Sequence, residues 1–383
     1  MKKLIIFVSL LICVCMIFIS FSSAVEVQVS HTLKPRQSCN FNNSISREKP
    51  PTHVVVPGDG EKIYYAIIAG CSRYQDRSHN LPPFGKPFPE STFKYVYDVL
   101  VNTSNWEKDH IVLLLNEDAT KQNILDSLID ISSLVDGDDV FLFSWNGHGT
   151  QIEDLDGDDG DGKDEAICPY DTQKEGGEIL NVITDDELDS YFSMIPAEGL
   201  FLMFECCMSG GLVDTNTHHK YSFVDVDEER RVVVMSTPPD KKGLAMHKIG
   251  WPMLLLYGIA FSNASCDTDK NGWISAEEAF TYVQTAYPVF EYEFWLTMMN
   301  KFAIPLSTVF VFIYSNIFLK MMGLKLGARL VLSTLYAGFA FVFYHLMKKQ
   351  LIVFSLLYFK MMGAENDPNM SDGYVGDLNI VQI

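Results

Sequence analysis

Residues Val140 to Asp171 read VFLFSWNGHGTQIEDLDGDDGDGKDEAICPYD. The apolar run Val140–Trp145 is short, aromatic and β-branched, and it stops at Asn146-Gly147. Such a run is the pattern of a buried strand. His148 then stands between Gly147 and Gly149, at the carboxyl end of that strand. In open α/β sheets this is the edge where chemistry is placed. Eight carboxylates follow between Glu153 and Glu165, with Lys163 the only base among them. A run of that kind repels itself unless it is solvated or holds a cation.

Outward from this stretch, further strands are predicted at Ile63–Ala69, Ile111–Leu115, Leu200–Phe204 and Val232–Met235. Helices are predicted at Ser91–Val101, Thr120–Leu134, Asp185–Phe192 (capped by Thr184) and Trp251–Phe261. Strands alternating with helices predict an α/β fold, a mostly parallel sheet sandwiched by helices. The fourth strand runs into Glu205-Cys206-Cys207-Met208-Ser209-Gly210-Gly211. A cysteine at a strand end before glycines has the placement of a nucleophile. If the third and fourth strands are neighbours, His148 and Cys207 open onto one crevice. An imidazole and a thiol so placed can form a catalytic dyad. The backbone N–H groups of Gly147 and Cys207 are candidate oxyanion donors.

These motifs resemble the caspase-like cysteine peptidases, and within them the metacaspases. The residues that carry the resemblance are Gly147-His148-Gly149-Thr150-Gln151, DLDGDDGDGKDEAICPYD, Ile183-Thr184-Asp185-Asp186-Glu187-Leu188 and Cys207 in CMSGGLVD. The resemblance covers about Ile63 to Tyr282 and implies a His148–Cys207 dyad. It also implies a calcium site at Asp171, Asp185, Asp186 and Asp214, whose hard oxygen donors suit Ca²⁺. Glu205 stands where metacaspases usually carry a pocket Asp, and a carboxylate there favours cleavage after Arg or Lys. Legumain-like peptidases carry Glu there and cut after Asn or Asp. Asn146 is expected to shape the same pocket. His218 to Arg231 resembles the segment where such peptidases are cut between their halves.

A second calcium signal lies at 267–278. Asp267, Asp269, Asn271, Gly272, Ser275 and Glu278 fit the twelve-residue EF-hand loop, with Trp273 giving its backbone carbonyl. Ser275 followed by Glu278 also reads as a helix capping box.

The ends of the chain are of another kind. Residues 1–24 read as a secretory signal, basic at Lys2-Lys3 and apolar from Leu4 to Ile19. Residues 25–57 form a loosely ordered lead-in before a peptidase domain at 58–300. Phe302–Leu319 and Leu330–Met347 are each long enough to span a bilayer. With Leu351–Phe359 at the interface, residues 301–360 read as a transmembrane hairpin. Residues 361–383 are a polar tail. A net charge of −20 points away from nucleic acid. The sequence therefore predicts an exported, calcium-dependent cysteine endopeptidase that acts on protein or peptide substrates. It is tethered to a lipid bilayer with its peptidase domain on the extracytoplasmic side. Two other readings stay open: a legumain-like Asn/Asp-specific enzyme, and a catalytically silent calcium-binding membrane protein.

Overall fold

The apolar runs of the sequence are strands, and they pair side by side in parallel. A computed structural model of the chain describes residues 56–81, 93–153, 162–212, 230–243, 252–361 and 363–383. The export signal, most of the lead-in, the acidic residues 154–161, Asp214 and positions 213–229 of the expected cut segment lie outside the described residues. The described residues divide into two units, one formed by residues 289–361 and the other by the described residues before and after it; the division falls at Pro288.

In the larger unit β1 (Tyr64–Gly70), α1 (Tyr95–Leu100), β2 (Ile111–Leu115), α2 (Lys121–Ser132) and β3 (Val140–Asn146) come first. The short strands β4 (His148–Glu153), β5 (Lys163–Cys168), β6 (Gln173–Glu175), β7 (Glu178–Leu180) and β8 (Ile183–Thr184) follow. Next are α3 (Asp185–Phe192), β9 (Gly199–Glu205), β10 (Arg231–Met235), α4 (Met253–Phe261), β11 (Trp273–Ser275) and α5 (Ala276–Met298), which runs on past the division at Pro288. The chain returns to this unit with β12 (Asn369–Asp372) and β13 (Asn379–Gln382).

Six strands form the central sheet in the order β12-β10-β9-β3-β1-β2. All pairs are parallel except β12 on β10. Side chains alternate between the two faces of a strand. Phe141, Phe143, Leu200, Leu202 and Phe204 join one core with Ile124 and Leu128 of α2 and Leu188 and Phe192 of α3. Phe201, on the opposite face, packs its ring 5.6 Å from Tyr257 and 6.4 Å from Phe261 of α4. Helices thus cover both faces. Burying each such large side chain contributes about 1.5–3 kcal/mol. The helix starts are fixed locally: Thr120 and Thr184 each accept the backbone N–H three residues on, from Asn123 and Glu187.

The polar tail is part of this unit. β12 supplies the sixth, edge strand, and β13 pairs with β11. All five described cysteines, Cys71, Cys168, Cys206, Cys207 and Cys266, are free thiols.

The smaller unit holds α6 (Ile304–Met321) and α7 (Leu326–Met361), joined by a turn with Gly323 at φ +82°. Ile304, Val311, Ala340 and Tyr344 form its buried cluster. Both helices are long and apolar enough to cross a membrane by length and composition alone. Most of their apolar surface is uncovered within the chain; Phe339 and Leu346 are each 73% exposed. Leu351–Phe359 continues α7, one helix of 36 residues. Lys348 and Lys349 interrupt the apolar run but not the helix, because no proline breaks the backbone between Leu326 and Met361.

Candidate active site

Strands β3 and β9 are neighbours, and Asn146 pairs with Glu205 at their carboxyl ends. His148 and Cys207 therefore each lie two residues beyond the same rung. The chain does not leave the site after His148. It turns into β4, where His148 pairs with Cys168 of β5. Gly149 passes so close to the nucleophile turn that a Cβ on it would lie 2.2 Å from the Cys207 carbonyl oxygen. Only glycine fits there, which explains the second glycine of the motif.

The imidazole is held from the other side by the loop after β1. His148 Nε2 lies 2.9 Å from the His79 carbonyl oxygen. A carbonyl only accepts, so Nε2 carries the proton and Nδ1 is left as the base. The Tyr74 hydroxyl accepts the His148 backbone N–H at 2.8 Å, and its ring lies 5.1 Å from the imidazole. Asn80 Oδ1 in turn accepts the Tyr74 N–H at 2.7 Å. Burial pushes the His148 pKa down to about 4, so the ring is neutral at pH 7. Burial pushes the Cys207 thiol up, against the Gly243 N–H and the Lys242 charge, which draw it down. The resting pair is thus a neutral imidazole and a thiol.

After Cys207 the backbone bends hard. Met208 takes φ +60°, a left-handed conformation that costs a branched or long side chain about 1–2 kcal/mol. Its N–H donates to the Lys241 carbonyl at 2.9 Å. Ser209 Oγ accepts from the N–H groups of Ser236 and Thr237 at 3.0 and 3.1 Å. Thr237 Oγ1 donates to the Cys206 carbonyl at 3.1 Å.

Residues 90–216 match the family described as Metacaspase, peptidase C14 domain. This stretch is similar to the peptidase domain of metacaspases. Metacaspase-1 of Schizosaccharomyces pombe is 38% identical over 96 residues, 25% of this chain and 22% of that protein. Metacaspase-3 of Arabidopsis thaliana is 32% identical over 160 residues, 39% of this chain and 40% of that protein. The chain thus spans well under half the length of these curated relatives. Among solved structures, a Geobacter sulfurreducens protein overlays with TM-score 0.41 at 14% identity, covering 58% of this chain and 88% of that one.

In this metacaspase-like domain several expected roles change. Glu205 does not line a pocket. Its side chain is fully buried, and its carboxylate accepts the N–H groups of Met253 and Leu254 at 2.5 and 2.8 Å. It caps α4, where the helix dipole also favours a negative group. Asn146 is buried beneath the site with its Nδ2 3.3 Å from Glu205, so it does not face a substrate either. The Gly147 N–H donates to the Glu205 carbonyl at 3.3 Å, continuing the strand pairing instead of pointing at an oxyanion. Cys207 remains the candidate oxyanion donor of the two. Of the expected cut segment's end, Arg231 is buried against Asp189 and the Arg230 side chain donates to the Ala197 carbonyl. Neither arginine is presented for cleavage.

The two calcium sets also differ. Asp171 accepts the Lys121 N–H at 2.9 Å, while Asp185 and Asp186 open α3. Among the described residues these three do not gather their oxygens within 4.8 Å of one another, whereas Asp267, Asp269 and Glu278 do. Gly272 at φ +87° gives that loop its turn. Asn271 Oδ1 accepts the Trp273 N–H at 2.8 Å. Ser275 and Glu278 also make the reciprocal capping box, at 3.1 and 3.2 Å. Trp273 lies in β11 opposite Gln382.

His79, Tyr74 and Gly243 escaped the sequence reading. Their contacts to the dyad run mostly through backbone atoms, which leave no residue pattern.

Replacement of Glu205 by Gln tests the corrected role. Burial pushes the Glu205 pKa up to about 8. A carboxyl raised above its unfolded value stabilises fully below about pH 4.5, and that stabilisation is lost as pH rises through about 8. Even when protonated, its hydroxyl oxygen can still accept one N–H; an amide NH₂ cannot. Glu205→Gln is therefore expected to cost about 1–3 kcal/mol in denaturant unfolding and to flatten the pH slope. The preference among cleavable residues should not change. Loss of basic substrates alone, with stability intact, would return Glu205 to the pocket.

Proposed function

We propose that this chain is a calcium-dependent cysteine endopeptidase that cleaves proteins or peptides after Arg or Lys. The observation that carries the reading is the pairing of β3 with β9, which sets His148 and Cys207 past the same rung with Nδ1 free to act as base. In the reaction the Cys207 sulfur attacks the scissile carbonyl as its proton passes to His148 Nδ1. His148 then gives that proton to the leaving amine, and water releases the acyl group from sulfur. The His79 carbonyl keeps the ring in the correct tautomer throughout.

Basic substrates are supported by the net charge of −20, which draws cationic peptides toward the domain. With Glu205 committed to α4, the carboxylate that reads the basic side chain is another one. Asp267, Asp269 and Glu278 offer hard oxygen donors that fit Ca²⁺, and Asn271, Ser275 and the Trp273 carbonyl complete the motif. The ion would neutralise and fix this loop. The exposed apolar faces of α6 and α7 support attachment to a lipid bilayer. The N-terminal signal supports export, with the peptidase unit on the extracytoplasmic side.

A panel of fluorogenic peptides ending in Arg, Lys, Asn or Asp, run with calcium and with chelator, tests the reading. Arg and Lys peptides should be cut, and chelator should stop cutting. Cleavage after Asn or Asp would favour the legumain-like alternative. No cleavage of any peptide with calcium would leave a silent calcium-binding protein.

A further inference from the structure

The nucleophile turn is held by a second segment, Ser236–Gly243. The Gly243 N–H lies 3.3 Å from Cys207 Sγ, and the Lys241 carbonyl accepts the N–H of Met208, the left-handed residue beside the nucleophile. This segment needs support of its own, since it leaves β10 at Met235 and runs past the edge of its pairing with β9. The support comes from the polar tail. The Lys242 N–H donates to the Gly363 carbonyl at 3.1 Å, and the Glu365 N–H donates back to the Lys242 carbonyl at 3.0 Å. Lys242 and Ala364 form an isolated parallel bridge. Farther along, the Asp367 N–H donates to the Ser236 carbonyl at 3.0 Å, and β12 then pairs with β10.

We propose that the tail segment Gly363–Asp367 is a positioning element of the active site: by clamping Lys242 it holds the Gly243 N–H on the nucleophilic sulfur. The proposal rests on the assignment of Cys207 as nucleophile but not on which peptides are cut. An N–H donor at sulfur favours the thiolate that forms as the proton leaves, so its loss slows every reaction of that sulfur. The clamp acts through backbone atoms. Glu365→Pro removes the N–H and so opens one of its two bonds. Glu365→Gln keeps the N–H and nearly the same shape.

The test is the rate of Cys207 carbamidomethylation by iodoacetamide at pH 7, read by peptide mapping on the full chain. Turnover of a fluorogenic peptide is measured alongside. Glu365→Pro is expected to slow alkylation of Cys207 about tenfold and to lower kcat with KM unchanged, while Glu365→Gln matches wild type. Gly363 sits at φ +78°, so Gly363→Ala strains the clamp more gently and should shift the rate in the same direction. It decides the matter should the proline variant not fold. A folded Glu365→Pro or Gly363→Ala protein with the wild-type alkylation rate overturns the proposal. Alkylation needs no substrate, so the two readings fail separately. A wild type that cuts no peptide but shows slowed alkylation in the variants removes the peptidase reading and keeps the clamp. A wild type that cuts peptides, with unchanged alkylation in the variants, does the reverse.

Discussion

Cys207→Ala is expected to lower peptide cleavage by at least about three orders of magnitude, the scale of losing a covalent nucleophile. Cys206→Ala should keep its rate within a few-fold. The two thiols are neighbours in sequence but not in role. Cys206 is 1% exposed, with its sulfur packed toward Gly149, while Cys207 is partly open and meets the Gly243 N–H. Truncating Cys206 costs packing, on the order of 1 kcal/mol for so small a side chain. The same dyad sets an acid limit. Below a pKa of about 4, His148 is protonated and cannot take the thiol proton, so kcat/KM should fall as pH drops through that value. Steady-state assays of both variants and of the wild type across pH 3 to 8 provide the measurement. Turnover by Cys207→Ala protein near the wild-type rate would end the assignment.

Asp189→Ala is expected to destabilise the fold by about 3–5 kcal/mol, because it strands a buried guanidinium. Arg231 opens β10 with its side chain 2% exposed, 2.6 Å from Asp189 of α3. It also meets Ser193 Oγ at 2.9 Å and the face of Phe192 at 6.0 Å. This ion pair ties α3 to β10. Removing one partner takes a counter-ion away from a charge that stays buried. Replacing both, as Asp189→Leu with Arg231→Met, should recover most of the loss, since neither apolar group needs desolvating from a charge. Denaturant midpoints of the single and double variants decide this. A single variant within 1 kcal/mol of wild type would mean that water reaches Arg231.

The strands that place the dyad were readable because they are buried on both faces. Val140–Trp145 and Leu200–Phe204 are unbroken apolar runs, and glycines mark where each must turn. Glu205 was misread for a physical reason. A carboxylate two residues before a nucleophile looks the same in sequence whether it faces a substrate or a helix end. The donors that decide the question, on Met253 and Leu254, lie 48 and 49 positions away. The tail was opaque in another way. Asn369–Asp372 is a short edge strand with Met370 its single apolar residue, and its register is set by backbone pairing with β10 rather than by any apolar alternation. The EF-hand motif was legible as a motif. That its central Ile274 pairs with Val381 of the tail could not be read from the loop itself.

The insertion of residues 289–361 ahead of β12 fixes the order in which the sheet can be completed during synthesis. Five strands leave the ribosome first, then both long helices, and only then the edge strand. At roughly 5–20 residues per second, translation of the intervening helices takes several seconds. Throughout that interval the flank of β10 has no neighbour, and the indole N–H of Trp106 waits for Ile380, its acceptor 274 positions downstream. A nascent chain therefore carries its cysteine and histidine before it carries the strand that closes the sheet beside them.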